Sequence, residues 1–314
     1  MTTNVSVPQA MAAPVVDAEK AHRGRLRIAY MIAMGLALIQ LAYGLNYYIL
    51  SQAERAISPK HMFLKPSGII GLRLGMIGFV LFLIVYLYPL RKVWPWLGRQ
   101  GNARHWLDFH VLLGITAPIL IAFHSSFKFS GLAGVAFWIM VIVALSGVVG
   151  RYIYAQIPRR KNFAEVSLKE AKDLSDKLAA QLNSLGILTA KDVESLVRLP
   201  TGSEFEAMSL VAALGKMMLF DTQFPFRVWR LRQKMLWSYR KKLSLVGLRR
   251  TQNAKLESAI ETAREQIMLA KKILFLSKSH QMLDVWHMIH RPFSYSFAFL
   301  ASIHVILMLM LGYY

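Results

Sequence analysis

Hydrophobic positions are not spread evenly along this chain. They gather into runs long enough to cross a bilayer, at 28–50, 68–90, 109–127, 130–154 and 287–314. About 20 apolar residues are needed for one helical crossing, so the pattern predicts five spans. No small-residue cleavage site follows the first run, which is also longer than a signal-peptide core, so it is expected to be a retained span. Between spans 4 and 5 the pattern changes to amphipathic helix. SLKEAKDLSDKLAAQL (167–182) has one apolar stripe, and a charged helical pattern runs from about 226 to 284 with an expected break near Gly247. The fold expected is all-α: an integral membrane bundle of about five spans, with a helical insertion between spans 4 and 5. Residues 1–26 are expected to form a mobile polar tail, 27–154 spans 1–4, 155–285 a helical docking domain, and 286–314 span 5.

Charge orients the pattern. Lys20, Arg23, Arg25 and Arg27 precede span 1; Arg91, Lys92, Arg99 and Arg104 fill the loop 91–104; Arg151, Arg159 and Lys161 follow span 4. All three groups fall on one side, taken as cytoplasmic by the excess of basic residues in cytoplasmic flanks. Arg55, Lys60 and Lys65 in the loop 51–67 dilute this signal without reversing it. The chain would then lie in a bacterial-type inner membrane with its N-terminus cytoplasmic and its C-terminus outside. The net charge is +21, and its densest stretch is FRVWRLRQKMLWSYRKKLSLVGLRR (226–250), basic with Trp229 and Trp237 interleaved and no acid. Such a helix suits anionic lipid headgroups or an acidic protein partner. No nucleic-acid-binding module accompanies the charge, so nucleic acid is not an expected partner.

The chain has no cysteine, which excludes disulfides, thiolate-bound iron–sulfur clusters and covalently attached c-type haem. Any redox cofactor held by this chain is then expected to use histidine, methionine or another non-thiol ligand. His110 and His124 lie in span 3, and His290 and His304 in span 5, fourteen residues apart in each case. Fourteen residues of helix return to within about 40° of the same face and advance roughly 21 Å. Spans 3 and 5 run in the same direction, so the four imidazoles make two levels: His110 with His290, and His124 with His304. Bis-histidine coordination of two haem b groups accounts for both the spacing and the pairing, since neutral imidazole is a good axial ligand.

The surrounding residues extend this expectation. Gly114 and Ser294 lie one turn from His110 and His290, where a flat macrocycle needs room; Ala117 and Phe297 fall between the levels. Haem propionates call for cations: Arg151, Arg291 and Arg104 for the first level, and Arg73, deep in span 2, for the second. His105 and His287 are out of phase with the ligand pairs and are candidates for contact with a propionate, a quinone or a proton. Gly68, Gly71, Gly75 and Gly78 form a smooth stripe that predicts close helix packing. Two other readings stand beside haem. One is a non-redox scaffold whose histidines are interfacial. The other is a transporter using histidine for protons or divalent metal; proton relays normally pair histidine with Asp or Glu, and spans 3 and 5 offer acids only at their starts, Asp108 and Asp284.

The H-x13-H of span 3 and the second pair two spans later resemble the ferric reductase-like transmembrane family, which includes the NADPH oxidase membrane domains. WHMIHRPFSYSFAFLASIH (286–304) also resembles the last haem helix of bacterial dihaem cytochrome b subunits. The resemblance covers mainly spans 3 to 5. It implies two b-type haems, ligated by His110, His124, His290 and His304, passing electrons across a bilayer. The helical insertion is foreign to the oxidases, and no flavin or nicotinamide motif accompanies the spans, so the chain is expected to be an electron-transfer subunit rather than a self-contained enzyme. Its partners would be separate iron–sulfur, flavin or multihaem c-type subunits, with quinone as a further partner.

Overall fold

The computed structural model describes residues 13–157, 168–185, 199–200, 202–239 and 254–312. Among these every regular element is a helix, as the hydrophobic pattern predicts. Helix α1 is Ala13–Tyr48, α2 Gln52–Ile57, α3 His61–Leu64, α4 Ile69–Val85, α5 Leu87–Val93 and α6 Pro95–Gly98. Helix α7 is Ala103–His124, α8 Gly131–Gln156, α9 Leu168–Leu185, α10 Gly202–Ala207, α11 Leu210–Tyr239 and α12 Ala254–Met310. Five stretches are long and apolar enough to cross a membrane: Glu19–Tyr48, His61–Val93, Ala103–His124, Gly131–Gln156 and Lys278–Met310. Their large side chains face outward; Met31 is 65% exposed and Ile39 67%. Such faces are stable against hydrocarbon and costly against water, and they mark a multi-pass membrane protein.

The described chain forms two compact units. One comprises the chain up to Val149 together with the part from Met288 onward, and the other is Gly150–His287. The boundaries fall inside α8 and α12, so neither helix ends where its unit does. In the first unit α4 and α7 make the most extensive packing. A cluster of Tyr47, Tyr48, Leu64 and Phe123 joins the ends of α1, α3 and α7.

The start of the chain differs from expectation. Residues 13–26 are helical, so the tail expected over 1–26 is helix in its second half; residues 1–12 lie outside the described residues. Two interactions explain why polar sequence folds here. Glu19 pairs with Arg23 one turn on at 2.9 Å, and His22 is buried, its Nε2–H donating to the buried carboxylate of Asp108 in α7 at 3.1 Å. Span 5 differs too, for it is the C-terminal part of the 57-residue helix α12. Pro292 lies inside α12, where its missing N–H leaves the Met288 carbonyl without a helical donor. The expected break near Gly247 lies outside the described residues.

In the second unit α11 packs on α12. Phe220, Phe224, Val228 and Leu231 recur at three- and four-residue steps and bury against Ile260 and Ile267, the stripe expected of an amphipathic helix. A polar knot interrupts this core. Asp221 accepts from Tyr152 Oη at 2.6 Å and from Lys271 Nζ at 2.6 Å, while Lys271 is only 2% exposed. Burial pushes the Lys271 ammonium below the ordinary lysine range, and Asp221 opposes that shift. A buried charge that loses its partner is far costlier than a pair removed together. Asp221→Asn is therefore expected to destabilise the protein by about 3 kcal/mol. Asp221→Leu combined with Lys271→Met should cost less, and thermal unfolding of the two purified variants in detergent checks the order.

Candidate functional site

The histidines of α7 are set by α4. The two helices run antiparallel, and the Val85 and Gly71 carbonyls, fourteen residues apart on α4, meet His110 and His124, fourteen apart on α7. His110 Nδ1 lies 3.0 Å from the Val85 oxygen, and His124 Nδ1 lies 2.9 Å from the Gly71 oxygen. A carbonyl oxygen only accepts, so Nδ1 carries the proton and Nε2 keeps its lone pair in both rings. Val85 ends α4, where carbonyls have no helical donor; Gly71 uses a second lone pair. The glycine one turn later opens the approach, because a Cβ on Gly75 would lie 2.6 Å from His124 Nδ1. The stripe on α4 does serve close packing, as expected, with Gly78 likewise facing Ile121 of α7.

His290 is held by a hydroxyl instead. Its Nδ1 lies 2.7 Å from Ser146 Oγ of α8. The Ser146 hydroxyl also lies 2.8 Å from the Val143 carbonyl. Three of the four histidines thus hold Nδ1 in a hydrogen bond, and in His110 and His124 this leaves the Nε2 lone pair, the arrangement that orients and strengthens a metal-ligating imidazole. His304 makes no hydrogen bond among the described residues.

Two cavities receive these rings. His110 and His290 line the first, with Gly114, Tyr86, Ser294 and Gly147. His124 and His304 line the second, with Gly75, Ser125, Lys128 and apolar side chains. The second cavity measures about 390 Å³, within the size range of small-molecule sites. The first measures about 70 Å³. It is narrowed by Tyr86, whose hydroxyl donates to the Ser294 carbonyl at 2.6 Å, although a Cβ on Gly114 would meet nothing within 4 Å. Phe82, Met140 and Phe297 line both cavities, and the rings of Phe82 and Phe297 meet edge-on at 4.7 Å. Phe297 therefore stands between the levels as expected, whereas Ala117 lines only the first cavity.

The cations are not arranged as the sequence suggests. Arg73 is exposed and lines neither cavity; the helical twist of α4 turns it away from the glycine face that meets α7. Arg104 pairs with Glu19 at 3.2 Å. Arg151 belongs to the second unit, its guanidinium 6.0 Å from the Tyr154 ring. Arg291 is exposed and lines neither cavity. Lys128 lines the second cavity. Lys128 is not singled out by span analysis, because it follows a span end.

His105 and His287 line neither cavity. The His105 ring stacks on His22 at 3.6 Å and its Nε2 lies 3.5 Å from Glu19, so it belongs to the polar cluster joining α1 to α7. His287 lies in the second unit beside the Trp286 ring, at 4.8 Å.

The turn after His124 is unusual. Phe127 N–H donates to the Ala122 carbonyl and Ser126 N–H to the Phe123 carbonyl, the pair of bonds that closes a Schellman cap. His124 is the last helical residue of that cap. Glycine is the usual residue at the left-handed position, yet here Ser126 has φ 51° and Phe127 follows with φ 59°. Non-glycine residues held there cost about 1–3 kcal/mol each and persist where surroundings over-determine them.

The contact at Gly75 is testable without any ligand. Gly75→Ala should displace the His124 ring from the Gly71 carbonyl and cost about 1–3 kcal/mol by overpacking. Gly35→Ala on α1, where the added methyl meets nothing within 4 Å, should leave the unfolding temperature unchanged or slightly raised in the same detergent assay. No family model matches this sequence, and neither curated proteins nor solved structures show a match to it.

Proposed function

We propose that this chain is a membrane cytochrome of the b type, carrying electrons across a bilayer through two haem groups ligated by His110 with His290 and by His124 with His304. The observation that carries the reading is the pairing of His110 with His290 and of His124 with His304 at two cavities, with the Nδ1–H of His110 and His124 tied to the Val85 and Gly71 carbonyls and their Nε2 lone pairs left for an iron. Each cavity offers two imidazoles and no carboxylate among its lining residues. A bare divalent ion needs four or more ligands, and among the described residues no group of three or more His, Asp or Glu converges. Two imidazoles suit a group that brings its own equatorial nitrogens. The missing carboxylates also argue against a proton relay, which pairs histidine with acids.

Haem iron, when bound, supplies one-electron chemistry at each level. The chain's own residues hold the axial nitrogens in the neutral tautomer, exclude water with apolar walls, and share one wall between the two sites. Phe82, Phe297 and Met140 form that wall, so the levels are separated by side chains rather than by a helix. The room at the second cavity suits the macrocycle directly. At the first, Gly114 leaves room beside His110, since a Cβ there would meet nothing within 4 Å.

The flanking basic residues support placing the N-terminus and the second unit on the cytoplasmic side of a bacterial-type inner membrane. With no cysteine in the chain, iron–sulfur or c-type haem groups must belong to separate subunits, and flavin proteins or quinone are further exchange partners. The basic stretch that would dock them is described only as far as Tyr239. In that part Arg232 pairs with Glu257 at 2.8 Å, and Arg230 lies 4.4 Å from the Phe226 ring; Arg240 to Arg250 lie outside the described residues.

A reduced-minus-oxidised spectrum with a pyridine haemochrome assay tests the reading. About two b-type haems per chain are expected, and well-folded protein without haem overturns it. His304→Ala should lose the haem of the second level and keep that of the first; retention of both would refute the ligand assignment.

A further inference from the structure

The structure assigns Arg55 as the positioning residue for His124. Its guanidinium makes three hydrogen bonds, each to a main-chain carbonyl. Nε donates to Leu50 at 3.0 Å and the two terminal nitrogens donate to Tyr48 and Ser126. Leu50 and Tyr48 end the first span, and Ser126 is the left-handed residue of the cap that terminates α7. One side chain therefore ties the end of α1 to the turn directly after the second-level histidine.

This tie replaces what glycine does elsewhere. A glycine after the last helical turn adopts the left-handed conformation by local preference. Ser126 has no such preference and is buried, 3% exposed. Its conformation is held from outside, by Arg55 on its carbonyl at 2.7 Å and by its own hydroxyl donating to the Leu64 carbonyl. Phe127 is held by its ring, edge-on to Tyr48 at 5.1 Å and to Phe123 at 5.4 Å. The residues on both sides of this turn, His124 and Ser125 before it and Lys128 and Ser130 after it, line the second cavity. A shift of the turn would move the imidazole and the cavity wall together.

Arg55 touches no cavity atom itself. Its role is to fix the direction in which α7 ends, and thereby the plane and reach of the His124 ring. The cofactor arm of the test rests on the haem reading above; the backbone arm does not. In Arg55→Met, amide hydrogen exchange at Ser126 and Phe127 should quicken, because the bonds to Phe123 and Ala122 loosen. Adding Ser126→Gly to Arg55→Met should restore protection, since glycine holds the left-handed turn unaided. In haem-loaded protein, Arg55→Met should weaken retention at the second level about five-fold or more and shift its midpoint potential and electron paramagnetic resonance signal. The first level should keep its haem and its potential, and the double variant should recover the second.

Unchanged exchange at Ser126 and Phe127 in Arg55→Met overturns the proposal whether or not haem binds. So does equal loss at both levels without rescue by Ser126→Gly, which would make Arg55 a general structural support. Wild-type protein that holds no haem would refute the proposed function and leave the exchange result to decide this inference.

Discussion

Everything at the candidate site depends on the single N–H of a neutral imidazole. For His110 and His124, in an apolar bundle, leaving that donor without an acceptor is costly, because there is little water to receive it. Helix carbonyls are the only abundant acceptors, and most are committed within their own helix. The protein uses one at the open end of α4 and one exposed by the absence of a side chain at Gly75. Once those two bonds form, the register of α4 against α7 is set and the tautomers of His110 and His124 are set.

The same scarcity shapes the rest of the first unit. His22 spends its proton on Asp108, and Arg55 spends three donors on carbonyls at helix ends. Helix termini leave carbonyls unpaired, and a guanidinium with five donors in a fixed fork can serve several at once. Several polar residues in this unit therefore act at the ends of helices, while Ser146 and His290 meet between the middles of α8 and α12. The second unit solves the problem differently, sinking a lysine into its core and neutralising it with Asp221.

Much of this architecture is legible in the residue pattern. The apolar runs correspond to five spans, the amphipathic repeat at 167–182 to α9, and the two histidine pairs to two cavities. Periodicity succeeds there because 3.6 residues per turn converts spacing directly into a face and a height. It fails for the cations. Arg73 is on the right helix at a suitable height, but a helix has only one face toward its neighbour, and the glycines occupy it. Lys128 lies in a short connecting segment whose direction no periodic rule describes. The helical start at Ala13 was hidden for a related reason, since its stabilising partner, Asp108, is 86 residues away from His22.

From sequence alone come the helical class, the five crossings, the absence of thiolate chemistry, and the pairing of four histidines at two levels. These follow from composition and from the geometry of a single helix. Tertiary structure decided which nitrogen of His110 and of His124 carries the proton, how wide each cavity is, and that a serine rather than a glycine turns the chain after His124. Those outcomes depend on atoms brought together from distant segments, Gly71 with His124, Ser146 with His290, and Arg55 with Ser126. No local rule links them, because each is settled by the packing of one helix against another.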